Sequence, residues 1–535
     1  MESKPSVITL QLGDAACAVG SRFWSMQEVQ GAHPGDAMHR WQGCGDTLVP
    51  RVVSVGMARQ HVPVELETEE SRHCPPKQAP SQGGIGQWSR IEETIKEQWE
   101  GPVERMERIT EPGWETWMRH ISHPKSFLEA KGIWDSGIGM AGYGQGSLVG
   151  KEDSFLEQLQ DRVRWFTEEC DHLQTFQLLV EETSAFEGIA AEFLPILKDD
   201  YPGLPVSLFS IKASENYYKT LSAAKNTKLW TTVEKLNAGL ANAAFIEYCD
   251  VVIPLKHKDS YSGGLKYISL DKGFYQTSAI MATAIDSATL PYRMEADGDE
   301  QMDLSASQYY GMLKGGQQAP YVALSASLPC QSLDPLPKVV DPRQKQDPSP
   351  YRKFVDCEQL SPVSFKESTS VFSEHYVLRG AQHHGQTLTR ILAQSYLDDR
   401  IMREAKSRIC SRTVCPYPVY FPFNFPLSIS LPVQKLGAGD PSTLTQSSKE
   451  KNAATAQAFA PESLSMLSVL SSTDAFGPYL SQIQSSFQAA AKTGQGRVML
   501  DSWQISSTDL EDSVSKLHHL VLQYDEEIGS DDYDD

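Results

Sequence analysis

Two short stretches hold the residue types from which a phosphate or nucleotide site could be built. Gly137 to Gly146 reads GIGMAGYGQG and carries five glycines. Such a run lets the backbone turn tightly through positive φ and brings its N–H groups close to an anion. Further along, Glu181-Glu182-Thr183-Ser184-Ala185-Phe186-Glu187-Gly188 combines three carboxylates, two hydroxyls and one glycine. A phosphate cradle there needs free N–H groups and the positive end of the following helix. Three carboxylates oppose that, because like charges a few ångströms apart in a partly desolvated site cost on the order of several kcal/mol. Other clusters offer less. His120 and His123 are three apart with no further ligand at a suitable spacing, and Cys410 and Cys415 in CSRTVC have no second pair, so no metal site is expected. The sequence shows no Ser/His/Asp set and no nucleophilic cysteine with a neighbouring base, so no catalytic residue is expected.

The elements that would position these residues follow from periodicity. Phe155, Leu159, Val163, Phe166 and Cys170 recur at spacings of three and four, which predicts an amphipathic helix from about 153 to 169, capped by Asp153 or Ser154. Phe176 to Val180 is a short apolar run that fits a buried parallel strand. A second helix is expected from about Gly188 to Asp200, bent by Pro195, and another strand from Pro205 to Ile211. Val7 to Leu12 reads as the first buried strand, with Gly13 to Gly20 turning into a helix. Gly-rich loop, helix, strand, loop and helix form the order of a nucleotide-binding α/β unit.

Several of these segments resemble the tubulin superfamily. CDHLQTFQ (Cys170 to Gln177), preceded by GYGQG, is similar to the tubulin CDxLQGFQ segment that leads into a GGGTGSG phosphate loop. ITLQLGDAACAVGSRFW (Ile8 to Trp24) resembles the tubulin opening strand, first nucleotide loop and Phe-Trp pair. YQTSAIMATAIDSATLPYR (Tyr275 to Arg293) resembles the segment after the tubulin central helix, and Leu236 to Phe245 resembles one whose Asn, here Asn237, contacts the nucleotide. The resemblance implies that a residual nucleotide site would draw on Gly13, Asp14, Gly142, Gly144, Gly146, Thr183, Ser184, Gly188 and Asn237. The ribose contact would fall to Glu215, for which a solvated loop carboxylate stays open as the other reading. The departures are at the phosphates: one glycine stands where the tubulin loop has five, and Asp14, Ala15 and Ala16 replace Gln, Cys and Gly. A degenerate GTP site is therefore expected, with no cofactor and no GTPase activity. GTP binding is the alternative, since GYGQG keeps its glycines. For Asn237, helix capping stays open as its whole role, and Phe23 and Trp24 are expected to serve only packing.

WETWMRHISHPKSF (Trp114 to Phe127), the loop ending in Phe186-Glu187-Gly188 and PYPVYFPFNFP (Pro416 to Pro426) narrow the resemblance to the Misato family. That resemblance implies an α/β, tubulin-like fold. A parallel Rossmann-type sheet flanked by helices fills the N-terminal half, followed by an α+β intermediate domain and C-terminal helices. The expected division is an N-terminal segment with a loop insertion at 1–130, a nucleotide-fold core at 131–328, a proline-rich linker at 329–350, a C-terminal domain at 351–524 and an acidic tail at 525–535. The family also implies a non-enzymatic role in mitochondrial distribution and morphology, exerted from the cytoplasm and the cytosolic face of the outer membrane. Its partners would be proteins: tubulin or other cytoskeletal components, a chaperonin, or outer-membrane proteins. A GTP-binding tubulin relative and a tubulin or spindle assembly factor are the alternatives.

Composition sets the outer bounds. The 535 residues carry 48 basic and 69 acidic side chains, a net charge of −21, which disfavours nucleic acid and anionic lipid. Nine scattered cysteines without a CxxC pair suit reduced thiols. No signal peptide, presequence or apolar run of membrane-spanning length is visible, so any membrane association is expected to be peripheral.

Overall fold

The computed structural model describes residues 6–29, 39–42, 47–57, 123–130, 142–213, 227–258, 260–261, 263–265, 268, 274–294, 304–314, 320–328, 357–365, 369, 371–379, 409–415, 419–420, 429–430, 458–459, 463–464 and 466–529. Outside them lie His120, Gly137 to Ala141, Glu215, the proline-rich segment 329–350 and the last six residues of the acidic tail.

Six parallel strands form the first sheet: β1 (Ser6–Leu12), β2 (Val52–Met57), β3 (Phe127–Ala130), β4 (Leu173–Glu181), β5 (Val206–Lys212) and β6 (Val251–Lys256). Their order in space is β3-β2-β1-β4-β5-β6. Because side chains alternate along a strand, β1 sends Ile8, Leu10 and Leu12 into one core and Val7 into the other. The first core is closed by helices α3 (Asp153–Glu168) and α4 (Ala185–Asp200), and the second by α1 (Asp14–Val29) and α6 (Phe274–Arg293). Between α1 and α3 in sequence lies α2 (Tyr143–Gly150), and α5 (Thr227–Tyr248) joins β5 to β6. This is the doubly wound arrangement, with helices on both faces of a parallel sheet.

A second sheet follows. Its strands β7 (Ala323–Ser327), β8 (Glu358–Gln359), β9 (Val371–Arg379), β10 (Ile409–Cys415) and β11 (Met466–Thr473) lie in the order β8-β7-β11-β9-β10, antiparallel except for β9 with β10. It draws strands from both sides of residues 329–350. Helix α7 (Ala306–Lys314) precedes it, and α8 (Phe476–Lys492), α9 (Gly494–Ser502) and α10 (Ser507–Gly529) end the chain.

Three element expectations need correction. The apolar residues of Leu464 to Lys492 predict a helix over that range, but Met466–Thr473 is a strand and the helix begins at Phe476. Its apolar residues pack on both faces of a sheet, so length rather than period was the better guide. The helix expected at Gly188 starts at Ala185 and continues through Pro195 to Asp200. Helix α3 has Glu152 at its N-cap with no side-chain cap bond, so neither Asp153 nor Ser154 caps it.

The α1/α6 layer contains a fully buried ionic cluster. Asp286 on α6 pairs with Arg293 of the same helix and with Arg379 at the end of β9, and accepts from Gln27 on α1. Burial opposes its charge, but the two guanidiniums outweigh that and hold its carboxyl below the usual range. The cluster ties α1 and α6 to the second sheet. Phe23 lies under the Arg293 guanidinium, 5.1 Å away, and packs edge-on against Trp24, both rings buried.

Candidate crevice at the strand-order reversal

In an open parallel sheet, ligands bind outside the carboxyl ends of the strands, where the order reverses. Here that point lies between β1 and β4. Gly13 leaves β1 at φ 103°, a conformation that favours glycine, and α1 begins at the next residue. A side chain at Gly13 would collide with Glu181, because its Cβ would lie 2.5 Å from Glu181 Cβ and 2.7 Å from Oε2.

Glu181, the last residue of β4, turns its carboxyl onto the N-terminus of α1. Oε2 accepts from Ala15 N at 2.9 Å, and the Asp14 N–H adds to the same carboxyl. These are the donors a bound anion would use. Burial, then the charge of Asp14, push the Glu181 pKa up to about 8, against the two backbone donors.

Helix α4 is satisfied in the same way. Ser184 is its N-cap: Oγ accepts from Phe186 N at 3.2 Å and donates to Glu181 O at 2.7 Å. Glu187 reaches back, Oε2 accepting from Thr183 N at 3.0 Å, with a further bond from the Ser184 backbone. Ser184-x-x-Glu187 thus has the spacing of a capping box, with Ser184 serving Phe186 N and Glu187 reaching back to Thr183 N and the Ser184 backbone. It holds Thr183 at φ 62°, a left-handed conformation that disfavours a β-branched residue. Burial, then the neighbouring Glu182, raise the Glu187 carboxyl well above the ordinary range.

Glu182 points elsewhere. It meets Lys212 at the end of β5 at 3.1 Å, and Lys212 also meets Glu234 of α5 at 2.8 Å. Burial works against the lysine's charge, but the two carboxylates keep it protonated.

The glycines of GYGQG have a different task from the one expected. Gly142 is the N-cap of α2, and Gly144 and Gly146 lie within that helix, so no loop exists there. Gly142, Gly146 and Gly150 recur every four residues along α2. A Cβ on Gly146 would lie 1.5 Å from Ala185 O, one on Gly188 1.9 Å from Tyr143 O, and one on Gly150 2.9 Å from Glu192 Cβ. Their absence lets the α2 and α4 backbones touch. Gly142 and Gly144 make room for Trp503 from the C-terminal helices. Asn237 on α5 is buried and its Oδ1 accepts from Tyr143 N at 2.9 Å, which caps α2.

With this geometry in view, comparison with known proteins is informative. The tubulin domain family matches residues 113–294. The chain is 26% identical to protein misato homolog 1 of Mus musculus over 349 residues, 58% of this chain and 57% of that protein. It is 30% identical to protein misato homolog 1 of Homo sapiens over 194 residues, 34% and 32% of the two chains, and 26% identical to protein misato of Drosophila melanogaster over 355 residues, 55% and 60%. The similarity is thus to the misato group of tubulin-related proteins. The longer matches span a little over half the length of those relatives.

Within this tubulin-like fold, the structure gathers Gly13, Asp14, Thr183, Ser184 and Gly188 around the end of β4, and sets Gly142, Gly144, Gly146 and Asn237 beside them on α2 and α5. Sequence reasoning placed Glu181 and Glu187 near a phosphate but missed their role as helix caps. The Ser184-x-x-Glu187 spacing was the signal for one; the Gly142, Gly146, Gly150 spacing was the signal for the close helix crossing. Nothing local signalled that Glu181 would reach Ala15, since that contact depends on the pairing of β1 with β4. Among the described residues no helix is long and apolar enough to cross a membrane, and no three His, Cys, Asp or Glu side chains gather to hold a metal.

Proposed function

We propose that this chain is a non-enzymatic, tubulin-like scaffold that works in mitochondrial distribution and morphology from the cytosolic face of the outer membrane. It acts by binding protein partners and not by turning over GTP. The observation that carries the non-enzymatic part is the use of the crevice donors by the chain's own carboxyls: Ala15 N by Glu181 and Thr183 N by Glu187. The group that the fold family implies, a guanine nucleotide with its triphosphate, does not fit these residues. Admitting it would break both contacts and leave the buried Glu181 and Glu187 carboxyls without their backbone donors, at a cost on the order of several kcal/mol. The glycines of GYGQG are committed to helix packing, which removes the remaining support for a phosphate loop. The mitochondrial setting and the protein partners rest on the misato resemblance.

The test is the nucleotide content of the chain purified without added GTP, read by anion-exchange chromatography of the denatured supernatant, with titration by labelled GTP and Mg²⁺. The expected result is an empty protein that does not bind GTP at millimolar concentration. Near-stoichiometric guanine nucleotide overturns the reading.

A further inference from the structure

The Glu181 contact reaches further than blocking a ligand. In a nucleotide-binding sheet the bound anion joins the N-terminus of the first helix to the loop beyond the neighbouring strand. Here one residue spans the same gap. Its carboxyl accepts from Ala15 N at 2.9 Å while its own carbonyl accepts from Ser184 Oγ at 2.7 Å, and Ser184 caps α4 through Phe186 N at 3.2 Å. The N-termini of α1 and α4 are therefore connected through Glu181. The packing agrees with a filled position: Gly13 sits where any Cβ would meet Glu181 Oε2 at 2.7 Å and the Phe186 ring at 2.9 Å, and Glu181 is itself buried.

We propose that Glu181 is the resident occupant of the crevice, a built-in substitute for a bound anion that latches α1 to the cap of α4, so that this end of the fold stays closed without any ligand. The inference rests on the reading above that the crevice does not take a triphosphate. It adds that the position is used, not merely lost.

The test uses the full chain and formate, a probe the size of the missing carboxyl. Glu181→Ala leaves Ala15 N without its acceptor, and hydrogen exchange at the Ala15 amide is expected to quicken on the order of tenfold or more. Formate should slow that exchange again and raise the urea midpoint, whereas chloride at matched ionic strength should do neither. Glu181→Gln keeps an acceptor oxygen and should retain the protection at Ala15. If Glu181→Ala does not fold in chloride, the readout becomes refolding yield, which formate should restore. Unchanged exchange at Ala15 in the alanine variant, loss of protection in the glutamine variant, or equal effects of formate and chloride each overturn the latch. Nucleotide is assayed in the same wild-type preparation. Guanine nucleotide there overturns the earlier reading whatever formate does, while a nucleotide-free protein indifferent to formate overturns the latch alone.

Discussion

Two sets of buried carboxyl groups are satisfied in opposite ways. At the crevice, Glu181 and Glu187 accept from backbone N–H groups at helix starts, and burial drives both toward the neutral form. In the α1/α6 layer, Asp286 has Arg293 and Arg379 and stays ionised. Backbone donors are partial charges that do not offset the burial of Glu181 and Glu187, whereas two guanidiniums outweigh that of Asp286. The crevice is thus a set of helix caps whose carboxyls resist ionisation. The arginine cluster is a tie between layers whose carboxyl resists protonation.

The largest effect should come from breaking the tie. Asp286→Asn leaves Arg293 and Arg379 buried against each other, and removing one partner of such a group typically costs about 3–5 kcal/mol. Urea denaturation of the variant should show a loss of that size, and a loss under about 1 kcal/mol would mean that the cluster is not the tie described. Replacing Arg379 by Met should be milder, because Arg293 still balances Asp286.

The next largest effect is a pH dependence with opposite signs at the two places. Glu181 has its folded pKa raised to about 8, above the unfolded carboxyl near 4.3, so the folded state holds the extra proton. Its contribution is complete below the unfolded pKa and is lost as pH rises through about 8, about 2–3 kcal/mol of it between pH 6 and 8. Asp286 has its folded pKa lowered, so its contribution is present above the unfolded pKa and is lost only as pH falls below it. Glu181→Gln should remove about one proton from the slope between pH 6 and 8 while leaving the acid limb intact, with Glu187 retaining a share of the alkaline slope. Denaturation midpoints across that range decide it: an unchanged slope would remove Glu181 from the account.

How much of this could be read beforehand depended on how local each signal was. Strands β1, β4 and β5 and helix α3 were legible because their patterns are set by neighbours three or four residues away, or by a short apolar run. Carboxylates in place of a glycine loop were visible at Glu181 to Glu187. The pairing of Asp286 with Arg379 was not, since Arg379 arrives from another sheet. GYGQG misled because glycine serves two ends, positive φ in loops and close approach between helices, and only the contact with Gly188 separates them. Met466 to Thr473 misled because a strand buried on both faces has no period to distinguish it from a buried helix.

That helix crossing supplies a third way to probe the crevice, without touching a charge. Gly188→Ala puts a methyl 1.9 Å from Tyr143 O and 2.5 Å from Ser147 N, both backbone atoms that cannot rotate away. The α2 and α4 backbones must part, at a cost of about 1–3 kcal/mol. Gly203→Ala is the control for glycine loss without a clash: it has nothing within 4 Å but sits at φ 81°, so it reports backbone strain alone. A Gly188→Ala variant no less stable than Gly203→Ala would contradict the close crossing.

The smallest effect tests the caps themselves. Ser184→Ala removes the acceptor for Phe186 N and the donor to Glu181 O but leaves Glu187 on Thr183 N. An N-cap of this kind contributes about 1 kcal/mol. If the crevice is only a pair of independent caps, the losses from Ser184→Ala and Glu181→Ala should add. If Glu181 joins the two helices through Ser184, the double variant should fall short of the sum by about 0.5 kcal/mol or more, because the second change breaks a connection already lost. Strict additivity in urea denaturation would separate α1 from α4 and reduce the crevice to two unrelated helix ends.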